Sequence, residues 1–365
     1  MRILYLSNLQ DEGFAGLTYC VPAQIAAQSG FDDVHWYNFK PVERPSWREH
    51  SFYHNPNDYR FSIDLFRRRF WDPDLIVFEG FYAFHPNATL LSTLCSRIPY
   101  VIVPHCALTA GDQGKKTLKK KVCNALFYKR FARGAVAIQY LTKREMLESG
   151  DSWNDACFIQ PNGIDPVDTA NAPADKPGNP VRIVYVGRLE PYQKGLDILL
   201  DALRLLKEKG RLSGFTLSIC GNSVNGFAEE IQSFIEREGL EEVVSVHPPV
   251  YDEEKRHVLE TADVFLLTSR YEGMPMGLLE ACAYGLPSIV TPGTNLAEEI
   301  GEENAGWVCD PAGEAIGEAI EAAASVRSDV YVEMSNGARN LASSFSWASI
   351  AESVHEDLSR LVAPR

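Results

Sequence analysis

The strongest constraint on the fold is an alternation that runs the length of the chain. Short apolar runs, rich in β-branched and aromatic residues, are separated by longer amphipathic stretches. RILYL (2–6), VHWY (34–37), LIVFE (75–79), YVIVP (100–104), AVAIQY (135–140) and CFIQ read as buried strands. Most of the intervening segments are long enough for helices. Strands buried on both faces and joined by helical crossovers make parallel sheets. The pattern breaks once, at PVDTANAPADKPGNP (166–180), which holds four prolines and little that is apolar. It restarts with RIVYVG (182–187), FTLSIC (215–220), VVSVH (243–247), DVFLLTS (263–269) and PSIVT (287–291). The reading is therefore two Rossmann-like, doubly wound α/β domains, 1–165 and 181–344, with 166–180 as the linker. The amphipathic tail FSWASIAESVHEDLSRLV (345–362) is expected to be a helix, packed with 345–365 back on the first domain. Domains of this kind facing each other leave a cleft at the carboxyl ends of their strands, where such sheets bind ligands.

Composition removes some alternatives. A formal net charge of -14 argues against nucleic-acid binding, which needs a basic footprint. No apolar run reaches the ~18 residues of a membrane span. MRILYLSNLQ reads as a first strand rather than a signal peptide. The eight cysteines are scattered without a C-x-x-C pair, as expected of reduced thiols in a cytoplasmic protein. Neither a G-x-G-x-x-G dinucleotide fingerprint nor a G-x-x-x-x-G-K-[ST] phosphate loop occurs, so an NAD enzyme or P-loop ATPase is disfavoured.

The strand ends of the second half carry the chemistry. RIVYV runs into GRLEPYQKGLDILLDAL, where Gly187 is expected to let the backbone turn. Arg188 and Lys194 follow near the start of a helix whose apolar face includes Leu196, Leu199, Leu200 and Leu203. Two cations beside free helix N–H groups suit a diphosphate; the same charges suit a solvated loop. DVFLLTS runs into SRYEGMPMGLLEACAYG (269–285). Glu272 leaves the strand end and Glu280 is expected near the first turn of the helix. Both carboxylates suit a polyhydroxy ligand as acceptors, and Glu280 alone also suits a helix cap.

VGRLEPYQKG, SRYEGMPMGLLEACAYGLPSIVT and GWVCDP, in that order, resemble the retaining nucleotide-sugar glycosyltransferases of family 4, which have the two-domain GT-B fold. The resemblance continues more weakly through IPYVIVPHCALTAG, FYKRFARGAVAIQYLTKREM and IQPNGID. It implies hexosyl transfer from a nucleoside-diphosphate sugar to a saccharide or lipid-linked saccharide, in surface polysaccharide biosynthesis, without a metal or other cofactor. It implies that Arg188 and Lys194 stabilise the leaving diphosphate and that Glu280 binds the ribose. Glu272, with the backbone of Gly273, Met274 and Pro275, would hold the sugar. His105 would lie near that sugar, with Gly16 and Asn162 at the cleft and Thr294 and Asn295 near phosphate or nucleotide. The first loop, SNLQDEGFAGLTY, separates Gly13 from Gly16 where the family often has a double glycine. MPM stands where many members have Phe-Gly.

Retention by a carboxylate nucleophile finds no obvious residue; the family analogy favours same-face attack, with the leaving phosphate taking the acceptor's proton. Asp72-Pro73-Asp74 imitates a metal motif but precedes a strand, and a turn is expected there. His85 is read as structural. The basic run KKTLKKK and its continuation (115–133) reads either as a solvated helix face or as a peripheral contact with anionic lipid or a lipid-linked diphosphate acceptor at the inner face of the plasma membrane. A sugar phosphorylase, a nucleotide-sugar epimerase and a non-catalytic nucleotide-sugar-binding protein are the alternatives on the same fold.

Overall fold

The computed structural model describes residues 1–10, 16–114, 117–150, 152–165, 167 and 177–362. Most of the 166–180 linker, Gly13 and the first two lysines of the basic run lie outside these residues. The chain divides into two compact units, Met1–Gly163 with Trp347–Arg365, and Ile164–Ser346.

The first unit is built on a seven-stranded sheet. Its strands are β1 (Arg2–Ser7), β2 (Asp33–Asn38), β3 (Tyr53–His54), β4 (Leu75–Glu79), β5 (Tyr100–Val103), β6 (Ala137–Tyr140) and β7 (Cys157–Ile159), in the order β3-β2-β1-β4-β5-β6-β7. Every pairing is parallel. The central strands β4, β5 and β6 are buried at every position, which is why they appear in sequence as unbroken apolar runs. β3 has two residues and lies at the sheet's edge, so no such run announces it. Aromatic rings fill the core on one face: Phe78 meets Phe84, Tyr100 and Phe131 edge-on at 5.0, 5.6 and 5.2 Å. The helix Trp347–Val362 completes this unit by packing on the helix Leu17–Gln28. Gln160 donates from Nε2 to Ser353 Oγ (2.9 Å) and Asp357 Oδ2 (2.7 Å) on the same helix.

The second unit has six parallel strands: β8 (Val181–Val186), β9 (Phe215–Cys220), β10 (Val244–His247), β11 (Val264–Leu267), β12 (Ser288–Val290) and β13 (Gly306–Val308), in the order β10-β9-β8-β11-β12-β13. β13, within GWVCDP, is a second edge strand that periodicity does not reveal. Leu196, Leu199 and Leu203 of the helix Leu196–Glu208 are buried as expected, whereas Leu200 is half-buried and Leu206 takes its place in the core. Asp72-Pro73-Asp74 lies at the amino edge of the first sheet. There Asp74 meets the Arg2 guanidinium at 2.7 Å and Asp72 meets Arg67 at 2.6 Å.

In both sheets the strand order reverses beside the first strand, between β1 and β4 and between β8 and β11. Connections leave to opposite faces at those points, and the carboxyl ends there are left open for a ligand.

One cluster in the first unit couples stability to pH. His35 Nδ1 and His54 Nε2 share a 2.7 Å hydrogen bond among Phe66, Phe70 and Trp71. Burial and the neighbouring His35 lower His54 to about 4, and burial lowers His35 as well. A base with a lowered folded pKa is protonated first in the unfolded chain. Its contribution is therefore complete above the unfolded value of about 6.5 and is lost as pH falls toward 4. We expect His54→Phe to flatten the pH dependence of urea unfolding across that window, by about 2 kcal/mol after allowance for partial exposure.

Candidate functional site

In the second unit three strand ends lie side by side, those of β8, β11 and β12. The segment 187–195 links β8 to its helix, 268–275 links β11 to the helix Met276–Ala283, and 291–295 follows β12. Lys194 Nζ lies 2.5 Å from Glu272 Oε1, and Ser269 Oγ donates to the same oxygen at 2.5 Å. The Lys194 and Glu272 side chains are 14% and 8% exposed. Charges this buried need partners close by, so the two loops are held in register.

The backbone carries the same registration. Thr268 Oγ1 donates to the carbonyls of Lys194 (3.1 Å) and Gly195 (3.2 Å), and the Arg270 N–H donates to the Gln193 carbonyl (2.8 Å). Arg270 also grips Asp197 with two bonds of 2.6 and 2.8 Å while lying over the Tyr192 ring. Gly195 has φ +64°, and a Cβ there would sit 2.0 Å from the Thr268 carbonyl oxygen. It is thus Gly195, not Gly187, that makes the left-handed turn into the helix; Gly187 is absent from the positive-φ residues. The close approach beside it is permitted by Gly221, where a Cβ would fall 1.8 Å from the Gly187 carbonyl oxygen; a Cβ on Gly187 itself would meet the Tyr185 hydroxyl at 2.9 Å.

Asn295 (φ +65°) donates from Nδ2 to the carbonyls of Glu272 and Gly273, the latter at 3.1 Å. Thr294 spends its hydroxyl on the Thr291 carbonyl (2.9 Å), and Thr291 in turn donates to the Ser269 carbonyl (2.7 Å). The side chains of Thr294 and Asn295 therefore brace the Glu272 loop from behind. Met274 and Pro275 are buried and Gly273 is half-buried on the same loop. Arg188 is exposed and is held by one 3.2 Å bond to Gln193 Oε1, which leaves most of its guanidinium N–H groups available to an anion.

Glu280 lies just past the first turn, as the fifth residue of its helix, and it does not cap that helix. Its carboxylate meets Lys255 Nζ at 2.5 Å. Lys255 sits on the helix Asp252–Thr261 inside the acidic run DEEK, where nothing in the sequence marks it.

The first unit has its own cluster at the carboxyl edge. His105 follows β5 with φ +49° and Cys106 continues at φ +66°, both unusual for residues with a side chain. The turn is held by Glu145, which accepts from the backbone N–H of Cys106 (2.6 Å) and Leu141 (2.8 Å). Burial raises the Glu145 carboxyl, and those two N–H groups oppose the rise. His105 Nε2 lies 2.7 Å from Glu79 Oε2 at the end of β4, and both side chains are buried. Asn162 is buried in the loop after β7, and Gly163 beside it packs on the Trp347 ring. Gly16 caps the helix Leu17–Gln28, with open space where a Cβ would be. His85 is exposed.

Lys194 and Glu272 are thus brought into contact, with Asn295 and Thr294 behind them. Ser269, Lys255, Glu79 and Glu145 are partners that sequence reasoning missed. Ser269 and Glu79 had a signal, as the last residues of the runs DVFLLTS and LIVFE. We expect Gly195→Ala to destabilise the protein by about 3 kcal/mol, read as a lower unfolding midpoint, because the Thr268 carbonyl cannot withdraw without breaking the loop contact.

Residues 167–341 match the family model described as Glycosyl transferases group 1. The chain is 32% identical over 142 residues to the amylovoran biosynthesis glycosyltransferase AmsK of Erwinia amylovora, covering 37% of this chain and 33% of that protein. It is 29% identical over 189 residues to a D-inositol 3-phosphate glycosyltransferase of Paenarthrobacter aurescens, covering 50% and 46%. The chain thus spans about a third to a half of these relatives' own length. Among solved structures, HepE of Anabaena in complex with UDP and glucose superposes with a TM-score of 0.74 at 17% identity, covering 99% of this chain and 100% of that one. WaaG, a glycosyltransferase involved in lipopolysaccharide biosynthesis, gives 0.67 at 17% identity, covering 98% and 99%. The two parallel-sheet units are those of the GT-B glycosyltransferase fold, and the second of them holds most of the residues that match the group 1 model.

Proposed function

We propose that this protein is a retaining, metal-independent hexosyltransferase of glycosyltransferase family 4. It would move a sugar from a nucleoside diphosphate to a saccharide or lipid-linked saccharide in surface polysaccharide biosynthesis. The observation that carries this reading is the buried Lys194–Glu272 contact at the carboxyl ends of β8 and β11. It joins a cation to a carboxylate that would accept sugar hydroxyls. The HepE complexes with UDP and with UDP-glucose and the role of AmsK in amylovoran biosynthesis support the donor class and the setting.

The chemistry follows from charge. Breaking the bond between the anomeric carbon and the diphosphate oxygen puts positive charge on the sugar and negative charge on the leaving group. One Lys194 N–H is engaged by Glu272, leaving two for phosphate oxygens. Arg188 supplies a second cation, so the developing anion meets groups already in place. Glu272 keeps acceptor capacity for a hydroxyl of the transferred sugar, with the Gly273 and Met274 backbone beside it. The acceptor hydroxyl attacks the face from which the diphosphate departs. The new C–O bond forms as the old one breaks, and the acceptor's proton leaves on the diphosphate. Lys194→Ala should lower kcat by about a hundredfold or more with the matching donor and acceptor. Transfer that persists in excess chelator is the expected result for a metal-independent site. Turnover of donor without any acceptor, or consumption of inorganic phosphate, would replace this reading with an epimerase or a phosphorylase.

We also propose a cytoplasmic location with peripheral attachment to anionic membrane through 117–133. Among the described residues no helix is long and apolar enough to cross a membrane. Leu118 (80% exposed), Val122 (51%) and Leu126 (73%) recur every fourth residue and leave half or more of their surface exposed. Lys119, Lys121, Lys129, Arg130 and Arg133 are exposed around them. An apolar stripe bordered by cations suits the boundary of an anionic lipid surface. Sedimentation with vesicles containing anionic lipid should carry the protein down at low salt and less of it at high salt. Leu118→Glu with Leu126→Glu should abolish the effect, and salt-independent absence of binding would remove the membrane assignment.

A further inference from the structure

We infer that Lys255 and Glu280 act together as a donor–acceptor pair that reads the vicinal hydroxyls of the donor's ribose, which makes Lys255 a specificity-determining residue. This rests on the nucleotide-sugar reading above and deepens it.

The geometry is specific to this pair. Glu280 lies one turn into the helix that leaves the Glu272 loop, and its neighbours Leu278, Leu279, Ala281 and Cys282 are buried. Its carboxylate emerges on the remaining side, 16% exposed, with Oε2 on Lys255 Nζ at 2.5 Å. Oε1 is left to accept. A carboxylate alone can only accept hydrogen bonds, whereas each ribose hydroxyl both donates and accepts. Lys255, 32% exposed, keeps N–H groups beyond the one engaged by Glu280. One hydroxyl can donate to Oε1 while the adjacent hydroxyl oxygen accepts from Nζ. The pair then meets the diol with both polarities, and it does so without an uncompensated negative charge facing a diphosphate ligand.

The fold by itself has little need of this contact. Leu259 is the buried residue of the Lys255 helix, and a half-exposed ion pair contributes little to stability. Lys255 is also set against its surroundings: Asp252, Glu253 and Glu254 precede it in the same turn. A cation there is drawn toward Glu280 and toward the site that Glu280 borders. A ligand that lacks one hydroxyl would leave one member of the pair without its partner, so discrimination falls on the hydroxyls and not on the base.

The test is isothermal titration of the full chain with UDP, GDP and ADP and with their 2′-deoxy counterparts. It would use wild type, Lys255→Met, Lys255→Arg and Glu280→Gln, with thermal unfolding of each variant as the check on folding. The tightest ribonucleotide should bind wild type about tenfold better than its deoxy form, the loss of roughly one hydrogen bond. Lys255→Met and Glu280→Gln should each bring that ratio close to one, chiefly by weakening the ribonucleotide. Lys255→Arg should retain most of it. A Lys255→Met protein that keeps the full wild-type preference would overturn the inference and leave the ion pair a contact between helices. Equal binding of both forms by wild type would overturn it as well. If wild type binds no nucleoside diphosphate, the donor reading itself fails and takes this inference with it, an outcome seen before any variant is compared.

Discussion

Lys194 and Glu272 are separated by 78 positions in the chain and by 2.5 Å in the fold. Each is largely withdrawn from water, and a buried charge without its partner is costly. Much of the second unit's carboxyl edge is arranged around that pairing. The left-handed turn at Gly195 delivers Lys194, and Thr268 fastens the turn to β11. Arg270 clamps Asp197 at the start of the following helix, and Asn295 holds the Glu272 and Gly273 carbonyls. Displacing either loop would break several of these bonds at once. The site therefore exists already organised, and a ligand would not have to pay for its ordering.

The first unit reaches a comparable end by different means. Its edge is fixed by strained backbone at His105 and Cys106, which Glu145 satisfies through two N–H groups. Glu79, at the end of β4, holds the imidazole of His105. Two carboxylates on separate elements thus constrain one short turn. Residues in sparsely populated conformations persist where their surroundings over-determine them, and the stacked aromatic core under β4 and β5 supplies that rigidity.

The sequence was most readable where burial is symmetric. β4, β5, β6 and β11 lie inside their sheets, so every residue is apolar or tightly packed and the run announces itself. β3 and β13 lie at edges, have two and three residues, and carry no such run. The same division holds at the site. Lys194, Glu272 and Glu280 follow strand ends, in a loop or the helix after it, in a motif whose order and spacing can be read directly. Ser269, Lys255, Glu79 and Glu145 are ordinary polar residues until the fold brings them to a partner. Leu200, expected in the core with its neighbours on the helix, gives way to Leu206 because the surface packed against that helix decides which turn is covered.

The sequence alone determined two parallel α/β units and the charged residues in the loops after the strands of the second. These follow from local patterns, namely runs of apolar residues and motif spacing. Only the tertiary structure decided that Lys194 is locked to Glu272 and Glu280 to Lys255. It also decided that Asn295 supports the loop from behind and that His105 is turned inward onto Glu79. Each of these is a contact across long separations in the chain, and its energy depends on burial and distance, which no local pattern encodes.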